Sequence, residues 1–253
     1  MSFIKPQWPA PANIQTLVST RSGGISNAPY ETLNLGTHVG DQPARVLGNR
    51  QILRKHLPQE PLWLNQTHST AVSTPSSRAQ SPNQPFEADA AVTNIPDEVL
   101  VIMTADCLPV LFTNANGSMI GAAHAGWRGL LEGVLEETVG AMLNLEMGSR
   151  PQDLVAWLGP AIGPESFEVG VEVLERFQST GLHDVTQSFM PIENKPDQYL
   201  ANIYQLARDR LEALGVNAIF GGDLCTVKDQ ERFFSYRRDG VTGRFTSLIW
   251  ITQ

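Results

Sequence analysis

Residues 101–131 read VIMTADCLPVLFTNANGSMIGAAHAGWRGLL, and the rest of the chain is read outward from them. An apolar run, Val101 to Met103, meets the polar break Thr104-Ala105-Asp106-Cys107. A second run, Pro109 to Phe112, turns through Asn114-Ala115-Asn116-Gly117, and a third, Met119 to Ala123, ends at His124. Asparagine and glycine supply backbone conformations that tight turns require, so the second and third runs are expected to pair as a hairpin. Cys107 and His124 then fall at strand ends, where rigid neighbours hold a reactive side chain without covering it. Gly126-Trp127-Arg128-Gly129 opens a helical pattern expected to run to about Leu145, with Leu130, Leu131, Val134, Leu135, Val139, Met142 and Leu143 apolar.

On the N-terminal side, residues 15–20 alternate as a strand and Arg21-Ser22-Gly23-Gly24 follows as a turn. Residues 31–41 form a polar loop. A helix is expected from Asp41 to Leu57, with Asp41 as N-cap and Val46, Leu47, Ile52, Leu53 and Leu57 facing inward. Residues 74–87, rich in Pro, Ser, Gln and Asn, read as an exposed loop. Strands are expected at 89–93, 154–158, 218–220 and 245–251, and helices at 171–178 and 202–214. Strands and helices mix without regular βαβ alternation, which favours an α+β fold. A chain of 253 residues can bury one large core or two small ones.

The composition, 42% apolar and 17% charged, is that of an ordinary globular protein. A net charge of −8 with no long basic run argues against nucleic acid as the main partner. It leaves room for a small anion held by local arginines. No apolar run reaches membrane-spanning length and MSFIKPQWPAP lacks a leader's apolar centre, so a cytoplasmic protein with no membrane partner is expected. Cys107 and Cys225 are the two cysteines, too few for a disulfide framework.

Chemistry concentrates in Cys107, His124 and His68, the last within Gln66-Thr67-His68-Ser69. A thiolate with two neutral imidazoles is a competent zinc set. Three protein ligands leave a fourth position for water, whose pKa zinc lowers toward about 7. The same atoms admit a Cys107–His124 dyad for acyl transfer, although a dyad gives His68 no task. They also match the equatorial ligands of a copper site. A multicopper mechanism needs a further imidazole cluster, and the chain has five histidines in all. Asp106 and Glu168 are the acid/base candidates. His38 is placed as a supporting group, His56 and His183 as surface residues, and Cys225 as a core thiol.

Anion binding is assigned to Arg128 at the start of the helix after His124. Arg21 and the cluster Tyr236, Arg237, Arg238 and Arg244 are further candidates, with Tyr236 or Phe234 stacking on a base.

Taken together, these segments resemble the YfiH family, also called the laccase-domain or polyphenol-oxidase family. The resemblance is carried by Thr20-Arg21-Ser22-Gly23-Gly24, Asn34-Leu35-Gly36, His38-Val39-Gly40-Asp41, Asn65-Gln66-Thr67-His68, Thr104-Ala105-Asp106-Cys107-Leu108-Pro109 and His124-Ala125-Gly126-Trp127-Arg128-Gly129. Gly159-Pro160-Ala161-Ile162-Gly163, Phe167-Glu168-Val169 and Phe234-Ser235-Tyr236-Arg237-Arg238-Asp239-Gly240 extend it along nearly the whole chain. It implies a single domain, residues 1–253, built as a four-layer α/β/β/α sandwich with mixed sheets, and a zinc-bearing pocket at His68, Cys107 and His124. Many relatives carry Cys-Tyr where this chain has Ser166-Phe167, so no extra sulfur ligand is expected there. The family's activity labels diverge: purine nucleoside phosphorolysis, adenosine deamination, polyphenol oxidation with copper, and removal of misincorporated serine from a UDP-MurNAc peptidoglycan precursor. The expectation drawn is a monomeric zinc enzyme, with copper as the other metal, acting on a purine nucleoside by phosphorolysis with phosphate, by adenosine deamination, or by both. The alternatives are a hydrolase that removes serine from a nucleotide-linked precursor, a copper-dependent polyphenol oxidase, or a non-enzymatic metal-binding module.

Overall fold

The computed structural model describes residues 2–80, 85–181 and 185–253. The hairpin forms: Leu108–Asn114 runs antiparallel to Ile120–Ala125, with Pro109 opposite His124. The first apolar run goes elsewhere. Leu100–Thr104 pairs with Phe245–Ile251 in a different sheet. The polar break at 104–107 is therefore the crossover from one sheet to the other, which sets Cys107 at the edge between them.

The larger sheet has six strands in the order Ala218–Gly221, Leu154–Leu158, Leu108–Asn114, Ile120–Ala125, Ala90–Thr93, Val72–Ser73. The smaller has four: Phe3–Ile4, Ile14–Ser19, Phe245–Ile251, Leu100–Thr104. Parallel and antiparallel pairs mix in the larger one. Side chains alternate across each pleated strand, and the buried apolar ones sort accordingly. Ile102, Phe245 and Ile249 of the small sheet meet Leu111, Ile120 and Ala122 of the large sheet. Val101, Met103, Leu248 and Trp250 face the opposite way, onto Leu53 and Leu57 at the end of helix Pro43–Arg54 and just beyond it. Val110, Phe112 and Ala123 face Val134, Val139 and Met142 of helix Val134–Leu143, with helix Ile203–Ala213 alongside. Among the described residues these three apolar clusters separate four layers, helix, sheet, sheet, helix, so the α+β sandwich is as expected. A three-stranded sheet, Glu168–Gly170, Gln198–Ala201 and Phe189–Pro191, flanks it. No helix among the described residues is long and apolar enough to cross a membrane.

The strands expected at 15–20, 89–93, 154–158, 218–220 and 245–251 and the helices at 171–178 and 202–214 lie within one residue of those found. Four expectations need correction. The helix after His124 breaks at Gly133, whose φ of 102° closes Trp127–Glu132 and starts Val134–Leu143. Helix Pro43–Arg54 starts later than expected, with Gln42 at its N-cap position, and Leu47 is exposed. Asp41 instead accepts hydrogen bonds from Ser26 Oγ at 2.6 Å and Asn34 Nδ2 at 3.0 Å, tying the glycine loops together. The stretch 74–87 is not simply a loop: Pro75–Gln80 is helical, and its buried Arg78 pairs with Glu98 at 2.6 Å. Residues 81–84 of that stretch, and His183, lie outside the described residues. Residues 229–244 contain a one-turn helix, Tyr236–Asp239, capped by Ser235.

Candidate metal centre

Beside the crossover lies a cavity of about 420 Å³. His68, Cys107 and His124 line it, and their donor atoms all lie within 4.8 Å of one another. Cys107 Sγ is 3.7 Å from His68 Nε2, and the two imidazole rings meet edge to face with centroids 4.8 Å apart. A tetrahedral zinc, with bonds of about 2.3 Å to sulfur and about 2.0 Å to nitrogen, places donors roughly 3.3–3.6 Å apart. The three donors thus need only a small inward movement, and their chemistry fits zinc. Gly126 makes the approach possible: a Cβ there would lie 2.8 Å from His68 Cδ2 and 3.0 Å from Cys107 Sγ.

One carboxylate that the sequence reading overlooked organises this group. Asp89 is fully buried at the start of strand Ala90–Thr93. Its Oδ1 accepts from His124 Nδ1 at 2.8 Å and from the His68 backbone N–H at 3.0 Å. Its Oδ2 accepts from Thr67 N at 3.1 Å, Ser69 N at 2.6 Å and Ser69 Oγ at 2.8 Å. His68 itself sits at φ 64°, a left-handed conformation a non-glycine residue rarely adopts. Asp89 lies 21 and 35 residues from these two partners, so no local motif marks it. The available signal was chemical: a metal-binding imidazole regularly donates its other N–H to a carboxylate.

The protonation states follow. Burial by itself would raise the Cys107 thiol; the adjoining His124 and then His68 outweigh it and hold the thiol at about 6. Burial would lower His124, but the Cys107 thiolate and Asp89 raise it to about 9. Burial opposes ionisation of Asp89 too, yet His124 and Ser69 bring it down to about 2. In the metal-free site both shifts favour the charged pair, a thiolate beside an imidazolium.

The other expected residues divide. Arg128, Tyr236, Arg237 and Arg244 line the cavity, as does His38. Arg128 lies over the Trp127 ring at 4.4 Å. Arg237 donates to Ser166 O at 3.2 Å, and Arg244 to Thr242 O and Gly243 O at 3.2 and 3.0 Å. Among the described residues none of these three arginines has a carboxylate ion-pair partner. Burial, then Arg244 and Arg50, hold His38 below its usual range. Trp127 and Phe167 are aromatic walls that the sequence reading did not single out.

Arg21 and Arg238 do not reach the cavity. Arg21 donates to Glu31 O and Gln230 O and covers the Phe234 ring. Phe234 is fully buried, so it offers no free face to a base. Arg238 binds the carbonyls of Thr226, Val227 and Phe233 and pairs with Asp239. Glu168 is outside as well, its carboxylate held by Lys195 at 2.9 Å. Asp106 lines the cavity at φ 99°, but both oxygens are engaged. Thr226 Oγ1 donates to one at 2.6 Å and the Arg237 N–H to the other at 2.6 Å, tying the crossover to helix Tyr236–Asp239.

Comparison with known proteins agrees with this architecture. A Haemophilus influenzae protein named purine nucleoside phosphorylase is 49% identical over 99% of both chains. An Escherichia coli protein named purine nucleoside phosphorylase YfiH is 50% identical over 98% of both. The crystal structure of a Neisseria meningitidis protein, 45% identical, superposes with a TM-score of 0.91 over 100% of both chains. That of a Bacillus licheniformis hypothetical protein YfiH, 30% identical, gives 0.86 over 94% of this chain and 93% of that one. With residues 15–252 matched, the chain belongs to the family described as multi-copper polyphenol oxidoreductase laccase, which takes in these YfiH proteins.

Proposed function

We propose that this protein is a zinc-dependent purine nucleoside phosphorylase. The observation that carries the reading is one cavity lined both by the His68/Cys107/His124 set and by three arginines that have no carboxylate ion-pair partner among the described residues. The names borne by relatives nearly half identical over the whole chain point the same way. The volume of about 420 Å³ is within the roughly 300–1,000 Å³ usual for small-molecule sites. Arg128, Arg237 and Arg244 hold hydrogen phosphate, and Trp127, Phe167 and Tyr236 provide apolar and aromatic surface for the purine. A phosphate oxygen attacks C1′ of the ribose. The C1′–N9 bond breaks with its electron pair on the purine, and the proton of hydrogen phosphate neutralises the departing base. Zinc, if held by His68, Cys107 and His124, would supply Lewis-acid charge to the cavity.

Deamination at C6 needs a carboxylate free to carry protons. Glu168 lies outside the cavity and Asp106 has both oxygens engaged, which favours phosphorolysis. The family's copper label fits less well: His56 packs on Phe3 away from the site, and the remaining histidines are too few for a second cluster. The test is incubation of purified protein with adenosine, with and without phosphate, followed by chromatography. Adenine and ribose 1-phosphate are expected only with phosphate. Inosine in both samples would replace this reading with deamination, and no product in either would reject both.

A further inference from the structure

We propose that Asp89 is the positioning residue of the metal centre, fixing two of its three ligands through one carboxylate. The inference rests on the zinc reading above and concerns how this chain prepares the site. Two separate arms leave the same side chain. Through Oδ1 it accepts the His124 Nδ1–H at 2.8 Å, which fixes the tautomer and presents Nε2 to the metal position. Through both oxygens it gathers the consecutive N–H groups of Thr67, His68 and Ser69 at 3.1, 3.0 and 2.6 Å. Those bonds hold His68 at φ 64°, a left-handed backbone state that a non-glycine residue keeps only when its surroundings enforce it. The Asp89 backbone adds a third link, its carbonyl accepting from His124 N at 2.7 Å. A buried carboxylate with five side-chain acceptor contacts has no oxygen left for substrate, so its influence on chemistry runs through the histidines.

Asp89→Asn keeps the shape and removes the function. Its amide has one oxygen, so an NH2 must face either the His124 Nδ1–H or the Thr67 and Ser69 N–H groups, donor against donor. If His124 yields by changing tautomer, its Nε2 carries the proton where metal should bind.

The experiment titrates wild type and D89N with zinc against a chromophoric chelator and records Co²⁺ spectra of both. The expected result is a zinc affinity about 10–100-fold weaker in D89N, with a shifted Co²⁺ band. Unchanged affinity and an unchanged Co²⁺ spectrum overturn the inference, even if D89N melts at a lower temperature, since that is what a merely structural Asp89 predicts. A wild type that binds no zinc defeats the metal reading instead. Should D89N not fold, ¹⁵N NMR of the zinc-loaded wild type decides. A protonated Nδ1 on His124 is expected, and a protonated Nε2 overturns the inference.

Discussion

Gly126→Ala is a single-methyl test of how closely the ligands must approach. Gly126 has φ −62° and ψ 156°, which alanine adopts freely, so the backbone is not strained. The new Cβ meets His68 Cδ2 at 2.8 Å and Cys107 Sγ at 3.0 Å, both well inside ordinary contact. Neither group yields easily, because Asp89 holds the turn carrying His68 and Cys107 leads directly into strand Leu108–Asn114. Overpacking of this kind costs about 1–3 kcal/mol. If the strain is relieved by moving the ligands, that cost appears in metal binding as a loss of roughly 5–150-fold. Chelator competition measures it, with thermal melting of the zinc-free protein as the companion reading. Zinc affinity within twofold of wild type would show that His68 and Cys107 do not close on a shared ion.

Further outcomes follow from the same geometry. Cys107→Ala, His68→Ala and His124→Ala are each expected to lower bound zinc and activity together, checked by metal analysis and turnover; a mild His68→Ala would favour a Cys107–His124 nucleophilic dyad. Alkylation of Cys107 in zinc-free protein should rise with a midpoint near pH 6, whereas zinc should block it. The sign is set by a thiol depressed on folding by the neighbouring His124: the thiolate, and with it alkylation, is lost as pH falls through about 6. Arg244→Ala should raise KM for phosphate about tenfold or more, the loss of one charge-assisted contact, while Glu168→Gln should leave phosphate-dependent turnover within twofold of wild type.

Cys107 and His124 were legible as candidates because they sit at breaks in strongly patterned apolar runs, which also gave the hairpin; the family resemblance joined them to His68 as one candidate ligand set. That Val101 to Met103 belongs to the other sheet was not legible, since both sheets bury both faces and their strands read alike. Asp89 was hidden for a related reason: it meets its partners only when two strand ends come together. The arginines mislead in the opposite way. Arg238 lies one residue from Arg237, yet it spends its guanidinium on the carbonyls of its own loop. Charge in sequence does not tell whether the fold has already found it acceptors.

The most direct test of the central claim is one preparation assayed for adenosine phosphorolysis as purified, after chelation, and after zinc is returned. The account predicts about one zinc per chain, adenine release that requires phosphate, loss on chelation and recovery with zinc. Full phosphorolysis by metal-free protein would contradict it.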